Sequence, residues 1–396
     1  MNSDIADMDR EALWPAMVDS AYVRELQTFA DEHIVPHAAH IDKHDVYPVD
    51  ILKKMAHCGY NNVTLPRQYG GQGLSYTHGA AVFEEMGAAS AAVGISLITI
   101  YQAQNMINLF GLESLKQRYL PAFGQGLLSS YALTEASHGS DIRKLDTKAQ
   151  LQGQEWVIQG EKHFITSATA AELFIILAET DVGVSVFAIP RDTPGLSMYE
   201  GSNSATFGLR NGPHMNVRLD AVRVPADHLI GQEGKGVRQA VTVLNYSRTL
   251  AAAISLGIAR AAFEGALTFA RDRIAFDQRV LNFQGIQWYF SDMLTDIDGA
   301  RVLTYHAARA LDADDQIARW GSEAKLKASA VATQVASQCA QICGAYGIME
   351  NAPFGRYLRD AKAYEVAGGS SEILKNTIGK ALMPIAGIRP KAKVSL

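Results

Sequence analysis

The first part of the chain carries the apolar spacing of α-helices. Apolar residues recur three and four positions apart in residues 23–30 and 79–86, which places them on one face of a helix. The same spacing runs from about residue 21 to residue 125. It predicts an α-helical N-terminal domain, which we assign to residues 1–127.

The pattern changes near residue 128, where alternating and β-branched runs replace the helical spacing. Such runs occupy residues 155–160, 173–177, 184–189 and 215–219, and Gly, Asp and Pro turns separate them. Strands that follow one another without long helices favour an antiparallel sheet or small barrel over a doubly wound nucleotide-binding fold. We therefore predict a middle antiparallel β domain over residues 128–236.

Long Ala-rich stretches with apolar stripes follow at residues 250–271, 285–311 and 324–344. Their length and spacing predict a bundle of helices. We assign residues 237–396 to this C-terminal helical domain. A helical domain, a β domain and a helix bundle in this order make the predicted fold class α+β.

Composition favours an enzyme acting on small molecules. The 396 residues carry a net charge of -5 with no basic block, which argues against nucleic acid or an anionic membrane as partner. Residues 1–7 lack a basic-then-apolar leader, and no apolar run has membrane-spanning length, so we expect a cytoplasmic protein. Cys58, Cys339 and Cys343 are too few for a disulfide framework and lack companion ligands for a metal.

Two segments of the middle domain combine hydroxyl side chains, glycines and an aromatic residue. Residues 131–141 read YALTEASHGSD, and residues 160–167 read GEKHFITS. They resemble the flavin-binding segments of the acyl-CoA dehydrogenase family, where the polar edge of an isoalloxazine ring needs hydrogen-bond donors. Thr134, Ser140 and nearby backbone N–H groups can supply them. The ring of Phe164 can pack on the flavin face. Taken alone, the first segment is more typical of an ordinary Gly- and Ser-rich turn, and the other motifs reverse that preference.

Three C-terminal segments complete the pattern. Residues 273–287 contain RIAFDQR and FQGIQ, residues 341–347 read QICGAYG, and residues 359–373 read RDAKAYEVAGGSSEI. Arg273 can form charge-assisted hydrogen bonds to a pyrophosphate, and Gln284 can reach a polar group of the flavin chain. A small residue such as Gly344 permits close backbone approach to a ligand. In this order the segments resemble the acyl-CoA dehydrogenase family, from about residue 20 to residue 385.

The resemblance implies FAD as cofactor, an acyl thioester as substrate and no metal. It also implies a homodimer, or a tetramer of paired dimers, because a neighbouring subunit contacts the dinucleotide part of FAD in this family. Asp277 stands where the family usually has glycine. The FAD contacts carried over by the resemblance are Tyr131, Leu133, Thr134, Gly139, Ser140, Phe164, Thr166, Arg273, Phe276, Phe283, Gln284, Gln341, Gly344, Ala345, Ser370 and Glu372. The substrate contacts carried over in the same way are Ser140, Asn245, Arg248 and Gly369.

The resemblance fails at the catalytic base. In the family a glutamate usually precedes the glycine matched by Gly369, and this chain has Gly368 at that position. Some relatives instead place the glutamate just before the arginine matched by Arg248, where this chain has Ser247. Acyl thioester dehydrogenation removes a proton from the α-carbon and a hydride from the β-carbon, so a positioned base must accept the proton. Neither glycine nor serine can substitute for the carboxylate.

Three explanations are open on the sequence alone. A base from elsewhere could serve, and the candidates are Tyr246, Glu84, Glu85, Glu365, His138 and His163. The flavin could instead activate oxygen, as in monooxygenases built on the same fold. Alternatively, a substrate that is already acidic at its α-carbon, or that loses a leaving group, needs no strong base.

We expect an FAD-dependent oxidoreductase that performs α,β-dehydrogenation of an acyl-CoA or acyl-carrier thioester with a relocated base. Monooxygenase or other specialised flavin chemistry is the alternative. The electron acceptor would be an electron-transfer flavoprotein or oxygen. A protein that keeps FAD as a structural element is the non-enzymatic alternative, but the basic stripe that would favour nucleic-acid association is absent from the sequence.

Overall fold

The computed structural model describes residues 8–202 and 204–386, so the expectation about a leader at residues 1–7 lies outside the described residues. The predicted α-helical N-terminal domain is confirmed. Its helices are α1 (Arg10–Leu13), α2 (Ser20–His33), α3 (Val35–His44), α4 (Val49–His57), α5 (Tyr76–Ala89), α6 (Ala91–Phe110) and α7 (Glu113–Gly124).

Helix α6 is the central element of this domain. It is apolar almost all round and buried over most of its length, as expected for a helix enclosed by other elements. One side packs on strand β1 (Ser129–Ala132), where the Ser129 hydroxyl donates to the Thr99 carbonyl at 3.2 Å. Another side packs on the long helix α8 (Gly236–Asp272). Helix α6 therefore connects the β domain to the C-terminal bundle.

The middle domain is a seven-stranded sheet that packs its own apolar core. The strands after β1 are β2 (Lys148–Gln152), β3 (Glu155–Ile165), β4 (Leu173–Thr180), β5 (Gly183–Pro190), β6 (Leu196–Glu200) and β7 (Met215–Pro225). Their order is β1-β4-β2-β3-β7-β6, and β5 pairs with β4. The four strands predicted from the sequence lie within β3, β4, β5 and β7.

The sheet departs from the predicted antiparallel arrangement at one strand. Strand β4 pairs parallel with β1 and β2, whereas the β2–β3, β3–β7, β6–β7 and β4–β5 pairs are antiparallel. Parallel neighbours require a long connection between them. The loop at residues 133–147 and the β2–β3 hairpin separate β1 from β4, so the chain re-enters the sheet in its original direction.

The C-terminal bundle is built from α8, α9 (Gln284–Asp312), α10 (Ile317–Ile342), α11 (Phe354–Val366) and α12 (Ser371–Ile385), with a small hairpin of β8 (Ile274–Ala275) and β9 (Gln278–Arg279) after α8. The α+β class and the order of the three domains are confirmed, while the domain limits at residues 127 and 236 stay predictions. Helix α8 is long and apolar enough to cross a membrane, yet 83% of its most apolar window is buried inside the protein, as in a core helix.

Helices α5 and α8 approach each other closely through two glycines. A Cβ on Gly87 would lie 2.6 Å from the Ile254 carbonyl oxygen, and a Cβ on Gly257 would collide with the Glu84 carbonyl oxygen. Side chains at these two positions would force the helices apart. The glycines therefore fix the distance between the N-terminal domain and the bundle.

Candidate active site

Strand β1 leads into the loop at residues 133–147, which one buried carboxylate organises. Glu135 is 4% exposed, and its carboxylate accepts hydrogen bonds from the backbone N–H groups of Asp146 (2.6 Å) and Thr147 (3.1 Å). The buried Lys162 of β3 donates to the same carboxylate at 2.6 Å. Burial alone would raise the pKa of Glu135, but the Lys162 ammonium and the hydrogen bonds lower it overall. This ion pair attaches the loop to β3.

The two segments predicted to hold the flavin lie side by side. The backbone N–H of His163, in β3, donates to the carbonyl of Thr134, in the loop, at 2.9 Å. The Ser130 hydroxyl of β1 donates to the carbonyl of Thr166 at 2.6 Å. The end of β3 and the start of the loop therefore form one continuous surface.

This surface has the features that a flavin ring needs. Phe164 has a left-handed backbone (φ 58°) and presents a ring that is 50% exposed. An exposed aromatic ring on strained backbone is costly unless a ligand covers it. The Tyr131 hydroxyl is buried and has no hydrogen-bond partner among the described residues. An isoalloxazine ring, with its apolar face and polar edge, fits this pair, and the predicted contacts Leu133, Thr134, Gly139, Ser140 and Thr166 lie on the same loop and strand end.

The predicted contacts to the dinucleotide part of FAD form a second, outward-facing group. Arg273 follows α8, and its guanidinium carbon lies 6.0 Å from the ring centre of Tyr346. The rings of Phe276 and Phe283 meet edge to face at 6.2 Å. The exposed residues Gln284, Gln341, Gly344 and Ala345 begin or end the neighbouring helices. Within the described chain, no hydrogen bond, ion pair or ring contact joins this group to the 133–147 loop.

The substitution of Asp277 for the usual glycine leaves the hairpin turn intact. Phe276 and Asp277, the two central residues between β8 and β9, have φ values of 51° and 58°. Two left-handed residues are what a tight two-residue hairpin turn requires, and Asp tolerates this conformation better than most side chains. The Phe276 ring is therefore held at the tip of the hairpin, where it is 90% exposed.

The position that usually supplies the base is an open glycine turn. Gly368 and Gly369 connect α11 to α12 with φ values of 70° and 107°. A Cβ on Gly368 would meet no heavy atom within 4 Å, so the space beside it is empty of protein. Ser370 and Glu372 follow at the start of α12. The structure thus shows room, but no acid, at this point.

Two cations lie against the turn. A Cβ on Gly369 would sit 3.4 Å from Nη2 of Arg248, and Nζ of Lys325 donates to the Gly369 carbonyl at 2.7 Å. Arg248 is 6% exposed and Lys325 is fully buried. Nη1 of Arg248 donates to Oδ1 of Asn245 at 2.8 Å and is 3.4 Å from the Ser322 hydroxyl. Burial, then the charge of Arg248, lowers the pKa of Lys325 to about 7.

Helix α6 links this turn to the flavin surface. Thr99 lies 3.0 Å from the hydroxyl of Ser167, which follows the end of β3. Six residues further on, Asn105 accepts from the Tyr76 hydroxyl at 2.9 Å, and the Tyr76 ring lies 5.1 Å from that of Tyr246 on α8. Successive contacts through α6 and Tyr76 therefore connect the flavin segments to Tyr246, two residues before Arg248 on α8.

The two glutamates weighed as a relocated base lie in the core. Oε1 of Glu84 accepts from Arg260 (2.7 Å) and Arg301 (2.8 Å), and its Oε2 accepts from the Tyr305 hydroxyl (2.7 Å). Burial would raise the pKa of Glu84, but the two arginines lower it overall. Glu85 accepts from Arg260 at 2.8 Å, and burial raises its pKa. These contacts describe an ion cluster that holds α5, α8 and α9 together.

The other candidate bases have partners or unsuitable character. Burial raises the pKa of Tyr246, so its hydroxyl is a proton donor and not a base near neutrality. His138 lies 3.4 Å from Asp146, and His163 lies 3.2 Å from Glu161. Lys362 binds Glu365 at 2.7 Å. Ser247 donates to the carbonyl of Val243 at 3.0 Å. The described contacts therefore single out no replacement base.

Sequence reasoning did not identify Lys325 or the Glu135–Lys162 pair. A signal for Lys325 is present, because it falls on the stripe of Ala328 and Ala332 that faces the core of α10. A lysine on a buried stripe requires a specific partner. The partner, the Gly369 carbonyl, is 44 residues away and could not be read from the spacing.

Comparison with known proteins agrees with this architecture. The family models for the acyl-CoA dehydrogenase N-terminal, middle and C-terminal domains match residues 19–126, 130–222 and 234–383, respectively. YngJ, a probable acyl-CoA dehydrogenase of Bacillus subtilis strain 168, is 36% identical over 370 residues, which cover 91% of this chain and 97% of that protein. The fold and the site together are those of a flavin-dependent oxidoreductase. The chain belongs to the acyl-CoA dehydrogenase family, and the resemblance deduced from its motifs is confirmed.

Solved structures show the same fold. Butyryl-CoA dehydrogenase from Megasphaera elsdenii has a TM-score of 0.90 at 29% identity, with 93% of this chain and 99% of that chain covered. The prolyl acyl carrier protein oxidase AnaB has a TM-score of 0.88 at 28% identity, with 92% and 99% covered. Members of this family bind FAD, and the residues around Phe164 and Tyr131 suit it.

Proposed function

We propose that the protein binds FAD and uses it to oxidise an acyl thioester, most simply by α,β-dehydrogenation. The observation that carries this proposal is the series of contacts that leads from Ser167 at the flavin surface through α6 and Tyr76 to Tyr246, beside Arg248 on α8. When bound, FAD would accept the hydride released by the substrate. The loop at residues 133–147 and Phe164 would hold the ring, and Asn245, Arg248 and Gly369 would hold the thioester end.

The residues of this chain contribute positioning and positive charge. Arg248 retains a buried Nε without a hydrogen-bond partner among the described residues, so it can donate to a ligand oxygen. A fixed donor beside a developing negative charge stabilises the transition state without reorganisation. Because Gly368 and Ser247 cannot accept the α-proton, a base relocated from elsewhere, or water in the open space beside Gly368, would accept it, and an acidic α-carbon would ease the transfer.

The empty base positions keep flavin monooxygenation as the second candidate. A C4a-oxygenating enzyme needs no base against the α-carbon, which suits Gly368. Our proposal includes both coenzyme A and an acyl carrier protein as carrier of the acyl group. YngJ is named as a probable acyl-CoA dehydrogenase, and AnaB is named as an oxidase of a prolyl acyl carrier protein. The electron acceptor in our proposal is an electron-transfer flavoprotein or oxygen, and the compartment is the cytoplasm.

A homo-oligomer follows from the outward-facing group of FAD contacts. Large apolar side chains near it are exposed, namely Ile274 (57%), Phe276 (90%), Trp288 (61%), Tyr346 (53%) and Ile348 (77%). Exposed apolar surface of this extent marks an interaction site. We propose that a second copy covers it, and that Arg273 contacts the FAD of that copy.

Product analysis tests the proposed reaction. The FAD-loaded protein is incubated with acyl-CoA and acyl-carrier thioesters, once with an electron-transfer flavoprotein and once with oxygen. Dehydrogenation yields an enoyl thioester that has lost two hydrogen atoms in the incubation that supplies the electron acceptor. A product that gains an oxygen atom from labelled oxygen would replace the proposal with monooxygenation.

A further inference from the structure

Two buried basic side chains lie beside the turn at Gly368 and Gly369. Lys325 donates to the Gly369 carbonyl, Arg248 lies close to the space that a Cβ on Gly369 would occupy, and neither forms an ion pair within residues 8–202 and 204–386. Charged side chains that are this deeply buried are normally paired. Glu365 and Glu372 act on Lys325 electrostatically without forming an ion pair with it, and Glu365 is bound to Lys362 at 2.7 Å.

Both cations also have N–H donors for which no acceptor is found within the described chain. A guanidinium carries five N–H donors, and Arg248 uses Nη1 on Asn245 and Ser322 while its buried Nε has no partner among the described residues. An ammonium carries three N–H donors, and Lys325 directs one to Gly369. A bound group with acceptor oxygens would complete both sets.

The space for such a group lies at Gly368. Gly368 is exposed, and a Cβ on it would meet no heavy atom within 4 Å. Any side chain there would enter that space, and a glutamate would also bring a negative charge next to Arg248. That charge would neutralise the guanidinium and repel an anionic ligand. With glycine, the negative charge must come from outside the chain.

We propose that the acyl group of the substrate carries its own carboxylate, which lies beside Gly368 and pairs with Arg248, while Lys325 adds a second positive charge through its place at Gly369. The inference rests on the proposed function, because it assumes that an acyl thioester enters this site. It assigns the substrate class: acyl thioesters of dicarboxylic acids. It also explains why this chain has glycine where a glutamate would compete with the ligand.

Affinity for matched ligand pairs tests the inference. Calorimetric titration of the FAD-loaded protein, without oxygen, compares succinyl-CoA with butyryl-CoA and glutaryl-CoA with pentanoyl-CoA, and repeats each pair on a carrier protein. Each pair has nearly the same shape and differs in one charge. Hydrogen bonds to charged groups predict that the carboxylated member binds roughly 10- to 100-fold more tightly.

Two variants at one position supply the matched control. Gly368→Ala and Gly368→Glu carry the same backbone strain, since both place a side chain at φ 70°. We expect Gly368→Ala to keep most of the preference and Gly368→Glu to lose it. Lys325→Met should weaken the carboxylated ligand more than the neutral one, and Lys325→Arg should restore part of the difference. Thermal melting and FAD content confirm that each variant is folded.

The outcomes separate this inference from the proposed function. If butyryl-CoA binds and reduces the flavin as well as succinyl-CoA does, the proposed function stands and the carboxylate inference is wrong. Equal loss of preference in Gly368→Ala and Gly368→Glu would also overturn it, because shape and not charge would then decide. If no thioester binds on either carrier, both proposals fall.

Discussion

At the scale of single residues, the candidate active site has glycine in place of the usual glutamate at position 368. It also holds two buried basic side chains, Arg248 and Lys325, that form no ion pair in the described chain. Gly368 leaves open space, and Arg248 and Lys325 both lie near Gly369. In a buried site such charges interact strongly, because little water screens them. Our inference about the ligand therefore rests on these residues.

His214 gives the flavin surface a pH dependence. Desolvation lowers its pKa to about 4, and its Nε2 lies 3.4 Å from the hydroxyl of Thr166. Between pH 6.5 and 4 the unfolded chain binds a proton that the folded protein does not, so stability falls as pH falls through this range. The loss should be on the order of 1–3 kcal/mol.

Denaturant unfolding at several pH values, with His214→Gln as the comparison, measures this loss. Glutamine keeps a polar partner for Thr166 but does not titrate. The variant should lose less stability than the natural protein between pH 6.5 and 4. Parallel curves for the two proteins would show that His214 is not the group responsible.

Glu84 should matter for stability and not for proton transfer. Replacing it with Gln leaves Arg260 and Arg301 without their shared carboxylate, and breaking a buried ion pair in this way costs about 3–5 kcal/mol. Glu85→Gln is the matched control and should cost less, because Glu85 accepts from one arginine where Glu84 accepts from two. Thermal melting and turnover per bound FAD are measured together. A folded Glu84→Gln protein without turnover would make Glu84 the base.

At the scale of elements, the sequence indicated the long helices well. Residues 250–271, 285–311 and 324–344 lie almost wholly within α8, α9 and α10, because sustained apolar stripes identify helices reliably. Strands β1, β2 and β6 were missed. They are four or five residues long, and β2 and β6 are mostly exposed, so neither length nor alternation distinguishes them from loops.

The site could be predicted only in part for a related reason. Local segments such as residues 131–141 can be recognised from their own residue types. The structure places them next to residues 163–166 through hydrogen bonds to the backbone. Lys325, in contrast, acquires its role from a contact between α10 and the α11–α12 turn. Such contacts depend on how helices pack, which spacing within one helix does not specify.

The contact between α5 and α8 leaves no room for a side chain at Gly257. A Cβ there would collide with backbone atoms of α5, so Gly257→Val must separate the helices, and overpacking of this kind costs about 1–3 kcal/mol or more. Gly265→Ala in the same helix is the control. Its Cβ would lie 3.4 Å from the Phe354 ring, an ordinary contact, and the helix gains roughly 1 kcal/mol. Unfolding midpoints that move together for both variants would contradict this close approach.

At the scale of the whole molecule, the β8–β9 hairpin is where our proposal places the contact with a second copy. Its tip holds Phe276 in a left-handed conformation and exposes 90% of the residue. Exposing a large apolar side chain on strained backbone has no benefit for an isolated subunit. Together with Arg273, the hairpin is the part of the structure that favours an FAD site shared between copies.

Phe276→Ser tests the shared site. The subunit loses no internal packing beyond the edge of Phe283, so its melting temperature should change little. The mass measured by light scattering should fall toward that of a smaller assembly, and FAD content should fall with it. Val182→Ser, at a turn of the sheet where the side chain is 68% exposed, is the control. Unchanged mass and FAD content in Phe276→Ser would remove this hairpin from the interface.

The proposed oxidation of an acyl thioester by FAD underlies the other proposals for this protein. Rapid anaerobic mixing of the FAD-loaded protein with carboxylated and neutral acyl thioesters, followed by flavin absorbance, tests it. We expect the oxidised flavin band to bleach in a single exponential phase, and carboxylated thioesters to bleach it at lower concentration. A flavin that stays oxidised with every thioester on both carriers would contradict the proposed reaction.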